Sequence, residues 1–241
     1  MATVKEIHDE YYAEFRGQGD SLPSFGNREF TLGIYLLRSA IKKWERADGQ
    51  LWRELITSLS VEAALPANSG FTTVLSGTTV LAPSNMRKPP AWVFFTKPDG
   101  SVARYKPVEP QDGATTNVWF EGGANTGYVM HVGSQIAGAL QGAAFDYRYY
   151  KKATLPTITP DPSGMLIEMS DPAFAIQYML SARFQNTRNG FGYKTAKFEA
   201  DTALANMKIE NNSGVYGNSE EVLADSGWGM PNTGGFGEME L

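Results

Sequence analysis

Phe30, Ile34, Leu37, Ile41 and Trp44 recur at steps of four, three, four and three, a spacing that gathers side chains on one face only if the chain is an α-helix. Asn27 supplies the short polar side chain of an N-cap, and Glu29 falls in the first turn, where the helix dipole favours negative charge. An aromatic-rich stripe of this kind needs an apolar surface to cover it. Residues 4–15 predict a shorter preceding helix carrying Ile7, Tyr11 and Phe15 among charges, separated from the main one by a Gly- and Pro-containing stretch at 17–26. Past Asp48-Gly49, the set Leu51, Trp52, Leu55, Ile56 and Leu59 keeps a helical spacing, which predicts a kinked continuation or a second helix in series.

From about residue 60 the pattern changes to short β-prone runs at 71–81, 91–96, 102–108, 117–121 and 128–132, separated by Pro, Gly and Asn. Lys97-Pro98-Asp99-Gly100 reads as a turn, because Pro presets φ and Gly accepts a positive one; Gly122-Gly123-Ala124-Asn125 reads as a second connection. A last strand at 143–152 places Phe145, Tyr147 and Tyr149 on one side and Asp146, Arg148 and Tyr150 on the other. The aromatic side predicts the lining of a small barrel or sandwich core.

Pro156, Pro160 and Pro162 mark an extended linker, after which Ser170-Asp171-Pro172 is a strong helix start. That helix is expected to run to about Asn186, with a turn at Asn189-Gly190-Phe191-Gly192 and an alanine-rich helix from Tyr193 to about Met207. Ala196, Ala200, Ala203 and Met207 offer the narrow face on which the two could pack. From Glu210 onward Gly, Asn, Ser and Pro dominate and periodicity ends, so that stretch cannot build a core by itself. The expected class is α+β: a helical bundle formed by the N-terminal and C-terminal segments, an inserted small β-barrel or sandwich module, and an extended C-terminal tail. The corresponding units are 1–59 (helical), 60–155 (β module), 156–209 (helical hairpin completing the bundle) and 210–241 (acidic, Gly-rich tail).

Composition narrows the chemistry. With no cysteine among 241 residues, disulfides, thiolate nucleophiles and cysteine-held metals are excluded. No run of about 18 apolar residues stands together and the first 15 residues have no cleavage pattern, so neither a membrane span nor a secretory leader is expected. The net charge of −5 is uneven. After Lys208 there is no Lys or Arg, but there are six acids at Glu210, Glu220, Glu221, Asp225, Glu238 and Glu240, and the rest of the chain carries 21 basic and 20 acidic residues. A near-neutral body argues against nucleic-acid binding over the whole surface.

Neither of the two histidines sits in a nucleophile or metal context. His131 lies in an expected strand and reads as structural; His8, beside Asp9 on the first helix, reads as part of a solvated face. The run from Gly190 to Thr195 ends in Lys-Thr but lacks the spacing of a phosphate loop. Glu62, Glu109, Asp112 and Glu121 read as exposed loop and strand-edge acids. No catalytic residue, cofactor site or metal site is expected, and the chain reads as a non-catalytic structural protein.

Two basic clusters remain, Lys42, Lys43 and Arg46 on the second helix and Arg148, Lys151 and Lys152 at the end of the aromatic strand. Repeated by symmetry in a ring, such a cluster would form a collar suited to phosphate without sequence specificity. Among the late aromatics, Phe184 reads as core. Phe191, Tyr193, Tyr216, Trp228 and Phe236 are the candidates for contact with another subunit or partner; Phe191 and Tyr193, which precede Met207, read equally as core, whereas Trp228 and Phe236 are the better candidates because they stand in a polar, glycine-rich stretch.

The helix at 30–41, the later segment Asp171-Pro172-Ala173-Phe174-Ala175-Ile176-Gln177-Tyr178-Met179-Leu180-Ser181-Ala182-Arg183-Phe184, and the second helix that follows it resemble, in that order, the head-to-tail adaptor proteins of tailed bacteriophages, specifically the tail tubular protein A type. The resemblance covers most of the chain in order of elements. It implies a virion neck or tail protein, made in the host cytoplasm. Such a protein forms a ring of about twelve copies beneath the portal protein, contacts a tail or nozzle protein and surrounds the DNA channel. The acidic terminus resembles the family's portal-embracing segment. The helix at 4–15 and the long β region depart from the family pattern. Two other readings are another neck, tail-completion or tail-tube component, and a carbohydrate-binding or glycan-cleaving protein built on Trp92, Trp119 and Tyr128.

Overall fold

The computed structural model describes residues 1–17, 21–61, 71–74, 77–109, 115–140 and 143–213. The fold is α+β, with antiparallel pairing between all its named strands. Helices α1 (Val4–Arg16) and α2 (Arg28–Glu45) come first. Strands β1 (Ile56–Val61), β2 (Phe71–Val74), β3 (Gly77–Leu81), β4 (Met86–Lys88), β5 (Val93–Thr96), β6 (Val102–Tyr105), β7 (Val118–Gly123) and β8 (Gly127–Gly133) follow. The one-turn α3 (Ser134–Ala137), strand β9 (Ala144–Lys151) and helices α4 (Pro172–Asn186) and α5 (Gly190–Asn212) complete the order. The caps explain the boundaries. Thr3 and Glu6 form a reciprocal capping box at α1, the Asn27 side chain accepts from the Glu29 N–H, and Asp171 accepts from the Ala173 N–H just ahead of Pro172.

The four long helices share one apolar core, with Ile7 and Tyr11 from α1, Ile34, Leu37 and Trp44 from α2, Phe174 and Met179 from α4 and Ala196 and Met207 from α5. Helix α4 packs against α1, α2 and α5. Arg183 of α4 clamps three of these helices, since its Nη2 donates to the Glu29 carboxylate of α2 at 2.8 Å while its guanidinium lies 4.8 Å from the Phe15 ring of α1. At the other end of α2, Trp52 stacks on Trp44 and donates from its indole N–H to the Trp44 carbonyl at 2.8 Å.

Strands β1, β9, β5 and β6 form one sheet in that order, with β4 also pairing β9; β2, β3, β8 and β7 form a second. Both sheets are open, which removes the barrel option. Phe95, Phe145, Tyr147, Val118, Phe120 and Met130, drawn from both sheets, make one core in which Phe120 meets Tyr147 edge-on. The alternation expected of β9 holds, with Phe145, Tyr147 and Tyr149 buried on one side. The first and last strands of the β region are neighbours, Ile56 opposite Tyr150 and Val61 opposite Phe145. The chain therefore leaves and rejoins the helices at one place.

Three expectations are corrected. Residues 56–61 are strand β1, preceded by a short turn of 3₁₀-helix at Arg53–Leu55, so the helical unit ends before residue 59. The β-branched Ile56 and Thr57 and a free edge of β9 outweigh a spacing that also suited a helix. The last helix starts at Gly190 and continues to Asn212, past the boundary expected at 209, because its final turn is fastened to the segment after α2. There the Asn211 side chain donates to the Leu51 carbonyl and accepts from the Arg53 N–H, and Gln50 donates to Asn212. The expected tail from 214 onward lies outside the described residues.

The third correction is His8, which is fully buried rather than solvated. Its ring packs against Tyr11, Tyr12 and Phe30 and under Gly33, where an added Cβ would stand 2.3 Å from the imidazole Cδ2. Neither ring nitrogen has a hydrogen-bond partner. Burial holds the imidazole below its ordinary value; the Asp9 carboxylate, 3.8 Å from Nδ1, and the Glu29 backbone oppose this, and Lys5 reinforces it. The unfolded chain therefore takes up the proton first. The stability held by neutral His8 is complete above about pH 6.5 and drains away as the pH falls below it. Glu14 and Asp146, whose carboxyls partial desolvation pushes up, act in the opposite sense, favouring the fold at low pH. They are common to any His8 variant, so thermal denaturation between pH 7 and pH 5 should show a loss in the parent chain that His8→Leu lacks. Gly33→Ala should cost roughly 1–3 kcal/mol by overpacking the same contact, read from urea unfolding at neutral pH.

Candidate functional site

The residues expected to carry function separate into three places. On the second sheet, Trp119 of β7 and His131 of β8 are cross-strand partners whose rings stack at 5.0 Å with an 8° tilt. Glu121, two residues on and 53% exposed, accepts from the Trp119 indole at 3.1 Å and lies 3.4 Å from His131 Nε2. Sequence reasoning missed this triangle, although two strands meeting at a tight glycine connection place residues 119 and 131 opposite each other. Gly122 fixes that connection: its φ is +106°, and a Cβ there would stand 2.1 Å from the Gly127 carbonyl oxygen. Trp119 is only 7% exposed, Trp92 lies under the Arg104 guanidinium at 4.1 Å, and the Tyr128 hydroxyl donates to the Arg87 carbonyl. The three aromatics proposed for glycan contact therefore do not line up as a bare platform. Glu109 is exposed, whereas Glu62 and Asp112 lie outside the described residues. No group of three or more His, Asp or Glu side chains is placed to hold a metal among the described residues.

The two basic clusters behave differently. Lys42, Lys43 and Arg46 are exposed around the last turn of α2, where cations complement the helix dipole. Arg148 is half-buried and contributes charge beside Asp146; Lys151 is paired with Glu168, and Lys152 Nζ donates to the Ser84 carbonyl at 3.2 Å. Part of the second cluster thus holds the loop before β4 and the segment after β9 in place.

Between the two clusters stands Arg87 of β4, which sequence reasoning missed. Its Nη1 donates to the Glu45 backbone carbonyl at the end of α2, and its Nε is 3.9 Å from the Glu45 carboxylate. Its own carbonyl accepts from Tyr128 of the second sheet at 3.2 Å. Neighbouring Met86 pairs with Lys151 of the first sheet. Arg87 therefore joins one helix to both sheets. No short motif could have revealed it, because the partner is a backbone carbonyl 42 residues away.

Of the aromatics expected at an interface, Phe191 is 84% exposed and Tyr193 is half-buried, both in the first turn of α5; Tyr216, Trp228 and Phe236 lie outside the described residues. The same helix also exposes Phe198 and Ile209, which the sequence reading passed over by following only the alanine face.

Arg87→Ala should lower stability by roughly 1–3 kcal/mol. Glu45→Gln should matter less, because the closer acceptor is the backbone carbonyl. Paired thermal melts of the two variants check this order. The chain matches no protein-family model and no curated protein sequence.

Proposed function

We propose that this chain is a structural protein of a tailed-phage virion, a head-to-tail adaptor that sits as a ring between portal and tail and surrounds the DNA channel. The reading rests on one observation: helices from both ends of the described chain share a single core, while the β region between them starts and finishes on paired strands. In this reading the helices are the bundle that meets neighbouring copies, the two-sheet sandwich is a module inserted between α2 and α4, and the residues after Ser213 reach the portal. Lys42, Lys43 and Arg46, the exposed basic group, would face the DNA phosphates, with little help from Lys151 and Lys152, which are already engaged within the chain.

Mass photometry of the purified chain mixed with candidate portal rings tests the assignment. The expected result is a portal complex heavier by about twelve copies. Portal rings that gain no mass would sink it. A chain ending at Ser213 should stay folded, since α5 keeps its anchors to Leu51 and Arg53, yet should lose portal docking. Truncation after Met207 would be a poorer experiment, because it removes Asn211 and with it those anchors. Equal docking by the Ser213-terminated chain would remove the tail from the proposal.

A further inference from the structure

Helix α5 is apolar on two sides. Ala196, Ala200, Leu204 and Met207 are buried on the inner side, which packs on α4. On the other side Phe191, Thr195, Phe198, Thr202, Ala205 and Ile209 recur at steps of four, three, four, three and four, and all six are exposed. Phe198 and Ile209 are 71% and 65% exposed. The charged residues Lys194, Lys197, Glu199 and Asp201 fall beside this seam and never on it. Alternation at 3.5 residues with uncharged seam positions is the pattern of a helix that packs on both sides. From Phe191 to Ile209 the seam is about 27 Å long at 1.5 Å per residue.

An apolar hollow lies at the start of α2. This open cavity of about 260 Å³ is lined chiefly by Phe25, Phe30, Thr31, Ile34 and Ile158. Leu22, just before this lining in sequence, and Tyr35, next to Ile34 on α2, are also exposed. A cavity of about 150 Å³ already admits a benzene ring, so a phenyl side chain can enter this one. Helices α2 and α5 both pack on α4, and the seam and the hollow are made of different residues.

We infer that the α5 seam of one copy seats in the α2 hollow of the next, with a phenyl group of Phe191 or Phe198 entering the cavity. A two-fold contact of seam against seam would leave the hollow and its apolar surroundings wet; the head-to-tail contact covers both with one interface. Two different complementary patches make a heterologous interface, which closes to a ring or runs on as a chain of copies. With the flanking charges as a polar rim, a seam of this length can serve as the centre of a patch of about 800 Å² per partner, the size of a lasting contact. The inference deepens the ring reading given above but rests on surfaces that exist whatever the portal does.

The absence of cysteine makes the test direct. Thr31→Cys marks the hollow and Thr202→Cys the seam. The two single variants are mixed at high concentration with a short bismaleimide and resolved by denaturing electrophoresis. The expected outcome is a dimeric adduct from the mixture, little from either variant alone, and a ladder of multimers from the double variant. Adding Phe198→Asp to the seam variant should remove the adduct while circular dichroism and Tm stay unchanged, since that side chain is 71% exposed; Phe25→Asp in the hollow variant should remove it too, with some loss of Tm because Phe25 meets the core residue Phe30 edge-on. Adduct from Thr202→Cys alone would mean a two-fold seam contact, and no adduct in any mixture would mean that another occupant covers the seam; either result overturns the inference. Adduct without portal binding would leave this contact standing while the adaptor reading falls, and portal binding without adduct would do the reverse.

Discussion

Helix α4 has apolar or small side chains around most of its circumference, and only neighbours on several sides can keep such a helix out of water. Phe174, Ala175, Ile176, Met179, Leu180 and Ser181 are all buried. Helices α1, α2 and α5 each cover part of it, and the alanines at 196 and 200 let α5 approach closely where it crosses. The rest of the chain follows from the need to bring those three helices together from opposite ends of the sequence. The N-terminal pair cannot hide Ile34, Leu37 and Trp44 until residues 172–186 arrive, and everything between must be accommodated without holding them apart.

Pairing of β1 with β9 meets that need. A β region whose ends diverged would pull the end of α2 away from the start of α4, whereas the antiparallel ladder from Ile56–Tyr150 to Val61–Phe145 returns the chain to where it left. The β region keeps its own aromatic core, and polar ties add to the buried Trp52, Leu55 and Tyr150 where the chain passes between it and the helices. Arg87 to the Glu45 carbonyl and Lys151 to Glu168 are such ties. Ties of this kind are directional: a charged donor aimed at a carbonyl fixes an angle that apolar packing would leave loose.

Much of this was legible in the residues. Asn27 and Asp171-Pro172 announced the helices they cap, and the Phe145-Tyr147-Tyr149 alternation announced both strand β9 and its buried side, because caps and periods are local physics. What was missed depended on partners distant in sequence. Residues 51–59 carry a spacing that suits a helix, and only the open edge of β9 selects a strand. His8 sits beside Asp9 on a charged-looking turn, and only Gly33, 25 residues on, makes room to bury it. Among the candidate site residues, Phe191 was recognised but Phe198 and Ile209 were not. Once the alanine face had been given a purpose, nothing local required a second one.

That second face bears on how stability and assembly are divided in this chain. A monomer with no further role would gain solubility from charge at 198 and 209 and lose no packing, since neither side chain reaches the core. The inner face of α5 brings backbones together at Ala196 and Ala200 and packs Leu204 and Met207, yet three large apolar side chains, Phe191, Phe198 and Ile209, stand on the outer face. Large apolar groups on the solvent side of a helix already held in place by Asn211, Gln50 and Arg53 add nothing to folding. Their free energy is realised only when another surface removes them from water, and the fold presents them on a rigid helix, where little conformational entropy remains to be lost in that step.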